Sequence, residues 1–441
     1  MKSKLIVGLW ALGSVFNVVN RVGADDWPQW MGANRDARVS DFQTPKSWPS
    51  DLKKQWSVEV GNGVATPALV GKRLFAFGRQ GEDEVVRCLD SETGQEIWTY
   101  RYPTAGAVGP SQSFPGPRSC PTVAEGKVIV YGVRGKLSCL DASTGEVDWQ
   151  SDEPENNLPR FYTSSSPVIA GGLCIAQRGG EDSGTTVAYN LADGEMQWTW
   201  QGPGTAYSSP KLATIDGKQF VIVESDESVV ALTVSNGKVA WEMPYVVTGR
   251  GYNAATPVMD GNNLIVTGSN RGAKALQLSG AGDKLAAKEV WSNEDNSVQY
   301  NTPVLKSGQI YGLSASDVLF CINTQTGKTN WSAPVREGAG ESGAGQASQA
   351  GGQPPRRGPG GGSRGGPGGV RPGYGSIVDA GDVLIVLTPI GELAVLRPNP
   401  AQLEKIASYK VAEGQTYAYP VLTGNRIYIK DGESLSLFTL N

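Results

Sequence analysis

The chain has no histidine among its 441 residues. That absence removes a Ser-His-Asp triad, a Cys-His pair, a histidine-ligated metal and the Cys-x-x-Cys-His attachment of haem. Any catalysis would have to use carboxylates, Lys, Tyr, Cys or a borrowed cofactor. A basic excess is missing too: 43 acids against 39 bases give a net charge of −4, so nothing is left over to neutralise phosphates, and a nucleic-acid partner is not expected. Only 5 Met stand beside 58 Gly, 27 Pro and 12 Trp. This composition argues against helical bundles and coiled coils and for short strands joined by tight turns.

The first residues carry Lys2 and Lys4, an apolar run from Leu5 to Val19, and then Val22-Gly23-Ala24 as a cleavage site. The pattern predicts a secretory signal peptide over 1–24, because about 15 apolar residues are too few to cross a bilayer. The mature protein is expected to be exported, in the periplasm or cell envelope, with no transmembrane segment. No cysteine lies at the cleavage site to carry a lipid anchor. Of the five cysteines, Cys88, Cys139 and Cys321 occupy one repeated position, in Arg-Cys-Leu-Asp, Ser-Cys-Leu-Asp and Phe-Cys-Ile-Asn. Equivalent positions of separate units lie farther apart than the roughly 7 Å a disulfide tolerates. Buried thiols filling alanine-sized sites are expected instead.

Internal repetition dominates the sequence. Segments opening on Thr, Ser or Cys followed by Pro recur at Pro67, Pro121, Pro167, Pro210, Pro257 and Pro303, with Tyr before Pro420 and with Gly375-Ser376 as the weakest copy. Each continues through three apolar stretches separated by turns and ends at a small polar turn before Trp, most clearly at Trp98, Trp149 and Trp331, with variants at Trp198 and Trp241. Alternating stretches such as Arg73–Phe77 and Lys127–Tyr131 have strand composition, and the Thr-Gly, Asp-Gly and Asn-Gly pairs supply the positive φ of hairpins. Each unit therefore reads as a four-stranded antiparallel meander. Its final Trp packs on the next unit, since no unit can bury both faces alone.

Residues 54–441, less the stretch 338–373, provide about 44 residues for each of eight units, the size of a propeller blade. Gln55-Trp56 looks like a last strand with no predecessors, while the segment from Pro420 to Leu440 supplies three strands with no Trp strand to follow. The fold class is thus all-β: an eight-bladed propeller of four-stranded antiparallel blades, closed by an N-terminal strand completing the last blade. Residues 25–53 form a lead-in expected to lie across the ring. The stretch 338–373 holds 15 Gly, 5 Pro and 4 Arg, too little apolar content to order itself, so a disordered loop is expected there.

These residues resemble the quinoprotein-like propellers, which share the Trp-ended repeat and include pyrroloquinoline-quinone (PQQ) dehydrogenases and BamB-type outer-membrane assembly proteins. The opening Asp26-Trp27-Pro28-Gln29-Trp30 through Ser40 is similar to the lead-in of exported PQQ-like repeat proteins of planctomycete type, with departures at Met31, Ala33 and Ala37. For the dehydrogenase branch the resemblance implies a quinone in the funnel beneath a disulfide of adjacent cysteines, with a calcium held by Glu, Asn and Asp. No two cysteines are adjacent here. No cofactor and no metal site are therefore expected; PQQ with calcium belongs to the alternative reading.

In a four-stranded blade the inter-blade connections and the turns between second and third strands emerge on one face. The connections offer Arg118, Arg160, Tyr162, Tyr207, Arg250, Tyr252, Asn253, Tyr300, Asn301 and Tyr417, besides Tyr374 and Tyr419. The turns add Arg79, Arg134, Arg178 and Arg271, mixed with Glu82, Asp83, Glu181, Asp182 and Asp226. Phenols and guanidiniums combine large contact area with directional donors and suit a peptide strand, a glycan or a flat anion. The expected function is a non-catalytic, monomeric scaffold that binds a polypeptide partner in the cell envelope, by resemblance in outer-membrane assembly. The alternatives are a quinone-dependent alcohol or sugar dehydrogenase and a carbohydrate-binding module.

Overall fold

The computed structural model describes residues 26–154, 157–181, 183–247, 252–336 and 373–440. The signal-peptide reading and nearly all of the 338–373 stretch lie outside them, as do Arg250 and Asp182. Eight four-stranded antiparallel sheets form the ring. Their inner strands begin at Ala68, Thr122, Val168, Lys211, Val258, Val304, Ser376 and Val421. The strand Lys53–Glu59 pairs with Ser434–Thr439, placing Trp56 opposite Leu437. The two ends of the polypeptide thus share the eighth blade, which closes the ring and removes an open edge.

The repeat makes sense at the seams between blades. Each turn glycine sits on the tryptophan of the preceding blade: Gly94 on Trp56, Gly145 on Trp98, Gly194 on Trp149, Gly237 on Trp198 and Gly327 on Trp291. All five have φ between 66° and 77°, and a Cβ on any of them would lie 2.9 Å or closer to the ring. Only glycine meets both demands. The indole N–H then donates to a carbonyl beside that turn, Trp98 to Ala142 O (3.2 Å), Trp149 to Leu191 O (2.9 Å) and Trp198 to Val234 O (2.9 Å). A tryptophan buries on the order of 200 Å², worth about 5 kcal/mol at roughly 25 cal/mol per Å². Accordingly the apolar clusters lie between blades; Phe75 and Trp98 of the first, for example, pack with Val128 and Leu140 of the second.

The cysteine repeat has a cause in register. Cys88, Cys139 and Cys321 stand directly opposite Trp98, Trp149 and Trp331, and a bulge follows each pair. Ala188, Ala231 and Ala275 fill the same position opposite Trp198, Trp241 and Trp291, and in the closing blade Leu437 takes it opposite Trp56. All five cysteines are free and buried.

The Thr/Ser/Cys-Pro motif also acquires a physical reason. The residue before each proline donates its N–H to the equivalent side chain of the next blade: Thr66 to Cys120 Sγ (3.1 Å), Cys120 to Ser166 Oγ (2.9 Å), Ser166 to Ser209 Oγ (2.9 Å), Ser209 to Thr256 Oγ1 (3.4 Å) and Thr256 to Thr302 Oγ1 (2.9 Å). At the seventh blade Tyr419 reaches across instead, its phenol accepting from Thr302 N at 3.3 Å, while the Ser376 hydroxyl is left without a partner. Tyr419 N then donates to Thr66 Oγ1 (2.9 Å) and completes the girdle. Proline carries no N–H, so the strand proper begins one residue later.

The lead-in does more than cross the surface. Trp27 pairs with Leu69, Pro28 O accepts from Val123 N, and Val39 N donates to Asp379 O, so the segment runs under the inner strands of blades 1, 2 and 7. Trp27 and Met31 are almost wholly buried. Arg35 inserts its guanidinium among the carbonyls of Ser166, Pro167 and Pro210, and Lys211 Nζ donates to Asn34 O and Arg35 O. Burial lowers Arg35 to about 9 and Lys211 to about 8. Met31, Arg35 and Ala37 all take positive φ, at 58°, 52° and 52°. Their cost in backbone strain is offset by this anchoring.

Candidate functional site

Above the girdle the chain alternates sides, as extended backbone must. The residue two before each girdle residue turns inward to line a cavity of about 420 Å³ at the channel mouth: Val64, Arg118, Ser164, Tyr207, Ala254, Tyr300, Tyr374 and Tyr417, one from each connection. The residue immediately before the girdle turns the other way and is buried between blades, as with Ser119, Ser208 and Asn301. Phe114, Phe161 and Tyr252 complete the wall and Trp30, from the lead-in, lies at the cavity's inner end. Trp30 donates to the girdle hydroxyl of Thr256 (2.9 Å) and meets Tyr419 edge-on at 5.0 Å. Trp30 thus stands across the inner end of the cavity.

Two aromatic arcs face each other across the mouth. One runs Phe114, Tyr417, Tyr374, Tyr300, with centroid separations of 5.0, 4.8 and 4.1 Å. The other is a mutual triad of Phe161, Tyr207 and Tyr252 at 5.0 to 6.1 Å. Arg118 sits between them, within electrostatic reach of Tyr374, of the buried Glu84 carboxyl behind the wall, and of Tyr207. Its Nη2 donates to Phe114 O (2.9 Å), and its Nη1 is buried with no hydrogen-bond partner. Burial lowers this guanidinium to about 10, so it stays charged at neutral pH. The lining contains one cation and no carboxylate.

Of the residues singled out from sequence, Arg118, Tyr207, Tyr252, Tyr300, Tyr374 and Tyr417 meet at this cavity. Arg160 lies exposed on the rim, its guanidinium 5.5 Å from the Phe161 centroid. Tyr162, at φ 65°, turns aside; its hydroxyl accepts from Val108 N and its ring lies under Arg134. Asn253 is buried and donates to Ser225 O and Tyr245 O, and Asn301 donates to Leu313 O and Gly373 O, so both brace connections. Arg178 is likewise buried, bonded to Glu153 (2.7 Å) between blades 2 and 3. Trp30, Phe114 and Phe161 escaped the sequence reading. The period-two alternation would have found Phe161 only if the turn at Tyr162 had been known.

Behind the wall, between blades 4 and 5, lies a second polar group. Both oxygens of the buried Glu224, with the Ser208 and Tyr245 hydroxyls and Arg271 Nε, have no hydrogen-bond partner. The Arg271 guanidinium lies 3.9 Å from the Tyr245 ring centroid. Burial pushes Glu224 up to about 8, against smaller opposing effects of Ser208 and Arg271. The carboxyl is thus mostly protonated at neutral pH. Buried water is the usual occupant of such a pocket.

A bound quinone with calcium would require carboxylate and amide ligands converging in the mouth. The lining supplies none, the cysteines stand singly, and among the described residues no group of three or more Asp, Glu, Cys or His could hold a metal. The residues present do not fit that pair. No helix among the described residues is long and apolar enough to cross a membrane.

Comparison with known proteins matches residues 35–199 and 82–333 to the family described as outer membrane protein assembly factor BamB. The chain is 24% identical over 291 residues to outer membrane protein assembly factor BamB of Yersinia pestis, covering 63% of this chain and 70% of that protein. It is 30% identical over 194 residues to a quinohemoprotein alcohol dehydrogenase of Comamonas testosteroni, covering 41% of this chain. That match spans 26% of the dehydrogenase's own length. Among solved structures, BamB from Moraxella catarrhalis superposes with a TM-score of 0.61 at 14% identity, covering 88% of this chain and 97% of that one. Such identity reports the fold alone.

Proposed function

The chain belongs to the PQQ-repeat propeller family whose model is described as outer membrane protein assembly factor BamB, and from that premise we propose that it is an exported, non-catalytic scaffold of the cell envelope. Its partner is a polypeptide seated on the channel mouth, in the service of outer-membrane protein assembly. The observation that carries this reading is the mouth itself: seven of the eight connections present aromatic rings, and one of these adds the Arg118 guanidinium, around a cavity with no acid, thiol or metal cluster among its lining residues. Aromatic and arginine side chains are those that dominate binding at protein interfaces. The protein acts as a monomer in this reading.

Site-specific photocrosslinking tests the proposal. A crosslinker at Val108, which is 58% exposed beside the mouth, is expected to capture an outer-membrane assembly component in native envelopes. One at Met196, 60% exposed on the outer wall, is expected to capture none. Capture of a glycan alone, or equal capture from both positions, contradicts the reading. Reconstitution with PQQ and calcium, assayed with alcohols, sugars and an artificial electron acceptor, is expected to give no turnover.

A further inference from the structure

The shape and charge of the mouth restrict what part of a partner can enter it. The lead-in sets Trp30 at the far end, in the path a threading segment would take. At about 420 Å³ the cavity falls in the small-molecule range of about 300–1,000 Å³. It has room for the end of one extended chain, whereas a hairpin brings two strands about 4.8 Å apart with side chains on both faces. A chain end carries a charge, and its sign is decided by the lining. Arg118 is the cation, no carboxylate is present to receive an amine, and Nη1 of that guanidinium is buried without a partner. An unpaired buried donor of this kind costs stability unless a ligand or water completes it.

We infer that the cavity receives the carboxyl terminus of a polypeptide, the terminal carboxylate bonding Arg118 and an aromatic or large apolar last side chain packing between the two aromatic arcs. The carboxylate supplies the paired acceptors that a guanidinium fork prefers. The Tyr300–Tyr374 stack and the Phe161–Tyr207–Tyr252 triad supply faces and edges for the side chain. Val64, Ser164 and Ala254, the small residues among the eight inward positions, leave the width for its backbone. This assignment rests on the reading of the mouth as a partner-binding surface and specifies the end of the partner that enters it.

The test uses fluorescently labelled hexapeptides ending in Phe, one with a free carboxylate and one amidated, titrated into the whole protein. The free acid is expected to bind at least about tenfold more tightly than the amide, the value of one charge-assisted hydrogen bond. Arg118→Gln is expected to abolish that preference, Arg118→Lys to retain part of it, and Ala254→Trp to block both peptides, with thermal melts confirming that each variant is folded. Equal binding of acid and amide, or an undiminished preference in Arg118→Gln, overturns the inference. A free aromatic carboxylic acid that binds as tightly as the peptide also overturns it, in favour of a small-molecule site. If neither peptide binds while Val108 still crosslinks an assembly component, the carboxyl-terminus inference fails and the scaffold reading stands. If Val108 captures nothing, the scaffold reading fails too.

Discussion

At the seam between blades 3 and 4, Gly237 lies against the ring of Trp198, whose N–H is bonded to Val234 O. The seam between blades 1 and 2 repeats this with Gly145, Trp98 and Ala142. At the mouth the connections entering blades 4 and 2 present Tyr207 and Arg118, those entering blades 3 and 5 Ser164 and Ala254. The outer wall thus solves one packing problem by one device, used at five of the eight seams, while the mouth uses one backbone register to display different chemistry at each step. Stability is concentrated in what repeats and recognition in what does not.

The largest effect should come from breaking a seam. Gly237→Val adds a clash at 2.3 Å and a β-branched residue at φ 66°, and should cost roughly 3–5 kcal/mol in urea denaturation. Gly217, at φ 80° with nothing within 4 Å, is the control: Gly217→Ala should cost only about 1–2 kcal/mol. Next comes the girdle. Thr256→Val removes the acceptor used by Ser209 N and Trp30 Nε1, at a cost of roughly 1–3 kcal/mol. Cys120→Ser keeps an acceptor for Thr66 N and should change stability by less than about 1 kcal/mol.

Glu224 sharpens the contrast through pH. Its folded value of about 8 lies above the usual 4.5, so between those limits the native state holds a proton that the unfolded chain has lost. The stability it contributes is therefore full below about pH 4.5 and is lost as pH rises through about 8. Glu224→Gln should remove that slope, making the variant the more stable protein at pH 8 by on the order of 2 kcal/mol, with the advantage shrinking toward pH 5. Urea midpoints at both pH values check this. The smallest change in stability should follow from the half-buried mouth: Tyr374→Ser and Tyr417→Ser are expected to shift the melting midpoint by only about 2–4 °C.

The repeat made the outer wall legible because its positions recur: glycine where φ is positive beside an indole, alanine or cysteine opposite six of the indoles, and a hydrogen-bonding side chain before proline. Even the closing strand at Trp56 could be read from the missing Trp strand after Leu440. The mouth was legible by parity alone. Arg118, Tyr207, Tyr300 and Tyr417 share the inward register, whereas Asn253 and Asn301 each sit one residue off it, and both serve as braces between connections. Tyr162 misled because a left-handed residue breaks the alternation and hands the inward position to Phe161. Trp30 was hidden for another reason. It reaches the cavity from the opposite end of the channel, through a fold-back of the lead-in that no local periodicity encodes.

The separation of stability from recognition is tested most directly by measuring, on one set of proteins, both the melting midpoint and the affinity for the partner captured at Val108. The Tyr374→Ser and Tyr417→Ser double variant should lose at least about tenfold in affinity while remaining folded and within a few degrees of the parent. Undiminished affinity in that variant, with binding lost instead on changing Met196 and the outer wall, would contradict the account.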